Sequence, residues 1–342
     1  MRTTTIGAFP KPESIPLTDW FSKPDGDYTS SYLDELDRTD DAALDAAVHD
    51  VVRAQVEAGI DIPTDGEVRR ENYIHYQCRH LGGIDFDRLS HRMIRGVTSS
   101  LLPTITGPIT PGPSPLARDY EVAQAATDRP VKITLPGPMT IIDSVVDDHY
   151  HDDRALGGDL AAALNGHVLD LAAAGCTIIQ IDEPVIARKP EVALAHGIDQ
   201  LSRCFDGLPA TVTRAAHACC GYPNHLDQED YLKADRGAYV EVAEALDASA
   251  VQMLSLEDAH AHNDLADLLP RFADTTIVLG VIGIARSRIE SVDEIRTRLL
   301  QALEHLPPER LVAAPDCGLG YLPRDLALTK LRNLADAAHS LD

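Results

Sequence analysis

The chain has 342 residues, 44% of them hydrophobic, so it can bury a large core in one domain or two. Its 54 acidic and 30 basic side chains give a formal net charge of −24, which disfavours nucleic acid and anionic membranes as partners. Its apolar runs fall short of the roughly eighteen residues of a membrane span, and the N-terminus lacks a signal-peptide core, so we expect a soluble, cytoplasmic protein.

Eight short segments rich in β-forming residues are predicted strands, and each ends near glycine, proline or an acidic residue. In chain order they span residues 3–9, 59–65, 131–137, 177–183, 210–219, 250–257, 276–283 and 310–317. Segments of helical periodicity lie between many of them, including the apolar stripe of Leu44, Val48 and Val51. This alternation predicts a parallel α/β fold, a single (β/α)8 barrel over residues 1–342. An open, doubly wound sheet is the alternative.

Residues 66–130 interrupt this alternation, because they contain several prolines and show little helical periodicity. A long stretch of this kind is usually functional, so we expect an inserted arm or lid after the second strand, or a contact within a homo-oligomer. The segment also gathers arginines in an otherwise acidic chain. They are expected either to bind an anion or to face solvent or another subunit, and they are Arg69, Arg70, Arg79, Arg88, Arg92 and Arg95.

The ends of the predicted strands carry the chemistry, as expected for a barrel whose active site forms there. His217 and Cys219 lie two residues apart, so both project from the same face of an extended segment and suit one metal ion. Glu257 and Cys317 end later strands and can converge on the same ion. Two thiolates with an imidazole favour Zn²⁺ over Mg²⁺ or Ca²⁺, so the sequence predicts a zinc site.

A zinc ion at the mouth of a barrel suggests catalysis, because the cation favours the thiolate form of a substrate thiol and so supplies a sulfur nucleophile. Two further carboxylates follow strands. Asp182 is predicted to hold a cationic or hydrogen-bonding part of the substrate; the alternative is that Asp182 and Glu183 cap or bridge helices. Glu67 is likewise a candidate substrate contact.

The segments TIGAFP, DGEVRRENY, LPGPMT, IQIDEP, HACC, SLE and PDCGLG occur in this order along nearly the whole chain. They resemble the catalytic barrel of cobalamin-independent methionine synthases, in the short form with one barrel. The resemblance implies that Glu67 and Asp182 hold the amino-acid part of homocysteine, and that the loop containing Ala8 and Phe9 contacts its carboxylate. It also implies a zinc site whose ligands are His217, Cys219, Glu257 and Cys317.

Three positions depart from the family pattern and bear on the methyl donor. Ser144 replaces a tryptophan that stacks on folate, Ala285 replaces a histidine that assists proton transfer, and Arg188 replaces a carboxylate. Loss of a general acid lowers a rate by roughly 100- to 10,000-fold, so a folate polyglutamate is a poor candidate donor. A methyl-corrinoid protein or an epoxide would need less help. Arg188 is a candidate substrate contact.

The sequence therefore predicts a zinc-dependent S-methyltransferase in which a homocysteine thiolate attacks a methyl donor to give methionine. One alternative keeps the zinc but uses a thiol of the coenzyme M type, whose sulfonate Arg188 would suit, with an epoxide or methyl-corrinoid donor. Another alternative is a non-catalytic homologue that only binds thiols.

Overall fold

The computed structural model describes residues 1–23, 27–94, 98–228, 233–235, 237–260 and 262–341. Its strands are β1 (Leu81–Ile94), β2 (Thr98–Pro111), β3 (Lys132–Pro136), β4 (Val146–Asp147), β5 (Ile178–Asp182), β6 (Thr213–Ala218), β7 (Met253–Leu256), β8 (Thr276–Ile282) and β9 (Leu311–Pro315). The α-helices before β5 are α1 (Tyr32–Arg38), α2 (Asp41–Glu57), α3 (Tyr73–Cys78), α4 (Leu116–Gln124), α5 (Pro138–Ile142) and α6 (Asp153–Ala173). Those after β5 are α7 (Val185–Arg188), α8 (Pro190–Val192), α9 (Ile198–Arg203), α10 (Ala238–Asp247), α11 (Leu265–Leu268), α12 (Val292–Leu303) and α13 (Arg324–His339).

The principal sheet is parallel and has the strand order β3-β5-β6-β7-β8-β9, which confirms the predicted α/β class. The first two predicted strands are represented by isolated parallel bridges. One of them pairs Thr3 with Ala313 of β9, the next pairs Thr4 with Ile62, and the last pairs Thr64 with Lys132 of β3. The segments around residues 3–4 and 62–64 therefore link the two edge strands of the sheet.

Both faces of the sheet bury apolar side chains, which explains why its strands read as largely hydrophobic runs. On one face the strand residues join the helices in the main core, where the stripe of α2 formed by Leu44, Val48 and Val51 is buried. Burying each such side chain stabilises the fold by about 1.5–3 kcal/mol. The other face contributes a separate inner cluster, formed by Ile6, Ile62, Ile178, Ala215, Met253, Val278, Val312 and Ala314.

Local signals end and begin the helices that flank this sheet. Gly59 follows α2 with φ +99°, and Gly175 follows α6 with φ +101°. Glycine adopts this left-handed conformation without steric strain, so each helix stops there and the chain turns into the next strand segment. At the start of α12, Ser291 and Glu294 form a capping box. In the described part of the chain, no helix is both long and apolar enough to cross a bilayer.

The segment 66–130 is more regular than its sequence indicates. Strands β1 and β2 form a long antiparallel hairpin with register shifts along it, and β4 pairs parallel to β2 through Thr104 and Val146. Helices α3 and α4 flank the hairpin in the chain. What the hairpin contributes to function stays a prediction.

The arginines of this segment are mostly paired with carboxylates or carbonyls. Their partners include Asp41 and Asp45 for Arg69, Asp65 for Arg70, Glu71 for Arg79 and Asp148 for Arg88. Arg92 donates to the carbonyl of Val145, and Arg95 lies outside the described residues. Four of these arginines thus form ion pairs within the chain, and Arg92 contacts a backbone carbonyl.

Candidate metal centre and substrate cavity

Three of the four predicted zinc ligands meet at the carboxyl end of the parallel sheet. The candidate ligand atoms of His217, Cys219 and Cys317 all lie within 4.8 Å of one another. The Nε2 atom of His217 is 3.2 Å from the Sγ atom of Cys317. A tetrahedral zinc ion, with bonds of about 2.3 Å to sulfur and about 2.0 Å to nitrogen, would hold a sulfur and a nitrogen ligand about 3.5 Å apart. The observed spacing therefore fits a shared ion after small side-chain rotations.

Neighbouring residues orient the imidazole of His217 for this role. Its Nδ1 atom is 2.9 Å from the hydroxyl oxygen of Ser255 on β7, which leaves Nε2 to face the thiols. Burial lowers the pKa of His217, but Cys219 and Asp182 together raise it above the ordinary value. A hydrogen bond with Cys219, together with burial, holds the pKa of the Cys317 thiol well above its usual range. A bound cation would reverse that preference and stabilise the thiolates.

Glu257, the fourth predicted ligand, has other partners in the structure. Its carboxylate forms an ion pair with Lys233 and accepts a hydrogen bond from the backbone N–H of Cys220 at 3.2 Å. Burial and the carboxylate of Asp316 raise the pKa of Glu257 to about 8. The contact with the Cys220 backbone places Glu257 beside the segment that carries Cys219, and its role as a metal ligand stays a prediction.

A second cluster lies beside the first and was not foreseen from the sequence. The candidate ligand atoms of Glu257, His260 and Asp316 also lie within 4.8 Å of one another. Asp316 accepts hydrogen bonds from the backbone N–H groups of residues 258–260, and the Nδ1 atom of His260 is 2.6 Å from its Oδ2 atom. These contacts fix the loop after β7 against the end of β9. The signal in the sequence was the histidine that follows SLEDA.

A cavity opens beside the three ligands. Three predicted substrate residues, Ala8, Glu67 and Asp182, line it together with His217, Cys219 and Cys317. The other two predicted contacts, Phe9 and Arg188, are not among its described lining residues. Phe9 is buried in the main core, and Arg188 forms an ion pair with Asp143 at 3.1 Å.

Glu67 is held in an unusual backbone conformation that presents its carboxylate to the cavity. Its φ of +56° follows Gly66 at φ +68°, and non-glycine residues in this region are uncommon and concentrate at functional sites. Thr134 donates a hydrogen bond to its Oε1 atom at 3.0 Å. A side chain at Gly7 would come within 2.6 Å of the same oxygen, so the carboxylate would have to shift if position 7 were not glycine. Burial raises the pKa of Glu67 to about 7, against the opposing effect of Arg70.

The carboxylates of Asp182 and Glu183 point to different surroundings. Asp182 lines the cavity and accepts a hydrogen bond from Gln180 at 2.7 Å, and burial raises its pKa to about 6. Glu183 accepts hydrogen bonds from the backbone N–H groups of Met139 and Thr140 and from the Thr140 hydroxyl, at 2.7–3.0 Å. Glu183 therefore caps the start of α5, as the alternative interpretation of the pair expected, whereas Asp182 faces the cavity.

Aromatic side chains line the same cavity, and sequence reasoning missed them. Trp20, Phe21, Tyr73 and Tyr222 all take part, and the ring centroids of Trp20 and Tyr222 are 5.2 Å apart. The Tyr222 hydroxyl donates to the carbonyl of Gly318 at 2.7 Å, which fixes its ring. These residues come from three separate segments, so no local pattern indicated them. The only sequence feature that could have indicated this aromatic lining was the single tryptophan of the chain, which lies near its N-terminus.

The positions that depart from the family pattern are not among the described residues that line this cavity. Ala285 and Ser144 are both buried, and neither is among the described residues that line it. The carbonyl of Ala285 accepts a hydrogen bond from the backbone N–H of Asp227 at 2.7 Å.

Sequence comparison identifies a family and individual proteins that this chain resembles. Residues 1–340 match the family described as "Cobalamin-independent synthase, Catalytic domain". A methionine synthase from Sulfolobus acidocaldarius is 30% identical over 334 residues, which cover 97% of this chain and 89% of that protein. A methionine synthase from Sulfurisphaera tokodaii is 29% identical, over 97% of this chain and 90% of that protein.

Solved structures of methionine synthases are also similar to this chain. A B12-independent methionine synthase from Shewanella sp., in complex with selenomethionine, superposes with a TM-score of 0.85 at 29% identity, covering 99% of this chain and 97% of that one. A putative vitamin-B12 independent methionine synthase from Listeria monocytogenes shares the fold, with a TM-score of 0.70 at 18% identity, over 100% of this chain and 99% of that one.

Proposed function

The chain belongs to the family of cobalamin-independent methionine synthase catalytic domains, and we propose that it is a zinc-dependent enzyme that methylates homocysteine to methionine. The observation that carries this proposal is the meeting of His217, Cys219 and Cys317 in one cavity with two buried carboxylates. Each feature alone is common in proteins. Together they bring a site for a soft metal ion next to a site for an ammonium group, and homocysteine carries both a thiol and an ammonium.

The donor set fits zinc by its chemistry. Two thiols and one imidazole nitrogen are ligands that zinc prefers, and the hydrogen bond at Nδ1 of His217 is the kind that commonly orients a metal-bound histidine. Glu257 would complete the site as the ligand that a substrate displaces most easily. When bound, zinc would favour the thiolate form of a substrate thiol near neutral pH.

The residues of the protein then position the substrate. Glu67 and Asp182 would bind the ammonium group of homocysteine, and the loop at Ala8 would contact its carboxylate. Because both carboxyl groups are buried, their raised pKa values make them responsive to a cation that enters the cavity. Phe9 would support the loop from the core, and Arg188 would have to leave Asp143 before it could reach a ligand.

We further infer that the principal sheet closes into the predicted (β/α)8 barrel. The bridges at Thr3, Thr4 and Thr64 support this inference, because they run from β9 to β3 through the two remaining predicted strands. In such a barrel the carboxyl ends of the strands surround the inner cluster and form one mouth. The residues proposed to bind zinc and substrate all belong to that end.

A thiol of the coenzyme M type is the weaker candidate. Its sulfonate would enter a cavity that holds Glu67 and Asp182 without a lysine or arginine among the described lining residues. Arg188, which could have balanced that charge, is engaged with Asp143. Neither a corrinoid partner nor a homo-oligomer forms part of this proposal.

Zinc content and thiol binding test the proposal directly. Wild-type protein should hold one zinc per chain and should release one proton when homocysteine is added. Cys317→Ser should lose most of the zinc, whereas Cys176→Ser, which changes a buried thiol outside the cluster, should keep it. Wild-type protein that binds no zinc, or that binds zinc without any response to homocysteine, would exclude this function; the second result would favour a homologue without thiol chemistry.

A further inference from the structure

We propose that the methyl donor is an onium cation, a sulfonium or quaternary ammonium compound, and that the aromatic wall of the cavity binds it. The wall consists of Trp20, Phe21, Tyr73 and Tyr222. This inference rests on the proposed function, because it names the second substrate of the same site. The wall and the candidate zinc ligands line one cavity, so a donor at the wall would lie beside the thiol.

The concentration of aromatic rings is the first observation. Aromatic residues make up only 5% of the chain, yet four of them line this single cavity. Trp20 is 4.4 Å from Phe21, 5.2 Å from Tyr222 and 6.4 Å from Tyr73, between ring centroids. The faces of aromatic rings carry partial negative charge and attract methylated cations, and tryptophan does so most strongly.

The charge around the cavity is the second observation. Its described lining residues include neither lysine nor arginine, while its two carboxylates, Glu67 and Asp182, are those assigned to the ammonium group of homocysteine, and Arg70 is 3.7 Å from Glu67. The whole chain carries a net charge of −24, which would attract a cationic donor and repel an anionic one. The net charge therefore disfavours the approach of a polyanionic donor and favours that of an onium compound, which the aromatic wall would then bind.

The wall is held in place before any ligand arrives. A side chain at Gly320 would come within 2.4 Å of the Phe21 ring, so the ring packs directly against the backbone there. The backbone N–H of Trp20 donates to the carbonyl of Glu71 at 3.0 Å, and the Tyr222 hydroxyl is held by Gly318. A wall ordered in this way loses little conformational entropy when it binds a ligand.

Onium chemistry also suits the reaction. The thiolate sulfur donates an electron pair to the methyl carbon, a new sulfur–carbon bond forms, and the bond from that carbon to the positive sulfur or nitrogen breaks. The electron pair of the broken bond stays on the leaving atom, which becomes a neutral thioether or amine. No proton has to be delivered to the leaving group, so the site needs no acid directed at it.

Trp20 is the only tryptophan, so its fluorescence reports directly on the wall. Choline and 3,3-dimethylbutanol have nearly the same shape, but only choline is a cation. We expect choline to change the fluorescence saturably and to bind at least about tenfold more tightly than the neutral alcohol. Tenfold corresponds to about 1.4 kcal/mol, within the range of a partly desolvated cation–π contact. Equal binding of the two compounds, or tighter binding of a neutral pterin than of choline, would overturn the proposal.

Substitution of Tyr73 tests the contribution of its aromatic ring alone. This residue is only half-buried, so its replacement should not prevent folding. Tyr73→Leu should weaken choline binding about tenfold, since it removes a ring, while Tyr73→Phe should stay within about twofold. A circular dichroism spectrum matching wild type would show that each variant folds. Equal affinities in all three proteins would remove Tyr73 from the wall and contradict the argument.

Methyl transfer completes the test. Zinc-loaded protein with homocysteine and trimethylsulfonium should form methionine and dimethyl sulfide in equal amounts. Zinc binding and proton release with homocysteine, but no methionine from trimethylsulfonium, would overturn the donor assignment and leave the proposed function standing. A choline response in protein that binds neither zinc nor homocysteine would instead overturn the proposed function while supporting the wall as a cation site.

Discussion

Replacing Glu67 with glutamine tests how the cavity recognises an amino-acid thiol. Glu67→Gln keeps the shape of the side chain and an oxygen that can accept the hydrogen bond from Thr134, but it removes the negative charge. A hydrogen bond to a charged group contributes about 1.5–3 kcal/mol. Since Glu67 is 6% exposed, solvent screens this interaction little. We therefore expect homocysteine to bind about 10- to 150-fold more weakly to the variant, as measured by isothermal titration calorimetry.

The pH dependence of the same experiment follows from the raised pKa. Burial raises the pKa of Glu67 to about 7, so below this pH the free protein holds the carboxyl group mostly protonated. An ammonium group binds the ionised form, so the advantage of wild type over Glu67→Gln should shrink as the pH falls from 7, by up to about tenfold per pH unit. The effect of pH on the substrate thiol occurs in both proteins and cancels in the ratio.

The matched control is 4-mercaptobutyrate, which is homocysteine without its amino group. Glu67→Gln should bind this compound at least as well as wild type does, because no ammonium is present to lose its partner. An equal loss of affinity for both thiols would mean that the substitution damages the site generally. A ratio of affinities that does not change with pH would refute the assignment of Glu67 to the ammonium group.

Three other substitutions probe the supports of the site. Ser255→Ala removes the hydrogen-bond partner of His217 Nδ1, so zinc affinity measured by competition with a chelator should fall roughly 10- to 100-fold; an unchanged affinity would argue against this orienting role. Glu183→Ala leaves two backbone N–H groups and one hydroxyl of α5 without their acceptor. The free energy of unfolding, measured with urea, should therefore fall by at least about 2 kcal/mol. A decrease below about 0.5 kcal/mol would contradict the role of Glu183 as a helix cap. Gly66→Ala places a side chain at φ +68° and 2.4 Å from Val51, so the melting temperature should drop by several degrees; a melting temperature equal to that of wild type would show that the turn tolerates a side chain.

The sequence alone determined the parallel α/β class and the candidate metal ligands, because both depend on short-range patterns. Apolar runs that end in Asp, His or Cys mark the ends of buried parallel strands, where functional groups gather. His217 and Cys219 share a face because alternate residues of a strand do so. The family resemblance, confirmed by the match over residues 1–340, rests on motifs at these same strand ends.

The hairpin β1–β2 escaped sequence reasoning for a physical reason. Pro103, Pro108 and Pro111 lie in β2, and proline usually argues against a strand because it cannot donate to a sheet. What stabilises this segment is antiparallel pairing with β1, for example between Ile84 and Ile105. Such pairing depends on residues that lie some twenty positions apart, so a local pattern does not reveal it.

Tertiary structure alone decided which side chains share the cavity. Asp182 and Glu183 are adjacent in sequence, yet one faces the cavity and the other caps α5. Arg188 pairs with Asp143, which no spacing rule could indicate. The aromatic wall joins residues 20–21, 73 and 222. The spacing of residues along one strand determines which of its side chains share a face. Which residues face each other across a cavity depends instead on how distant segments pack, and only the folded chain fixes that packing.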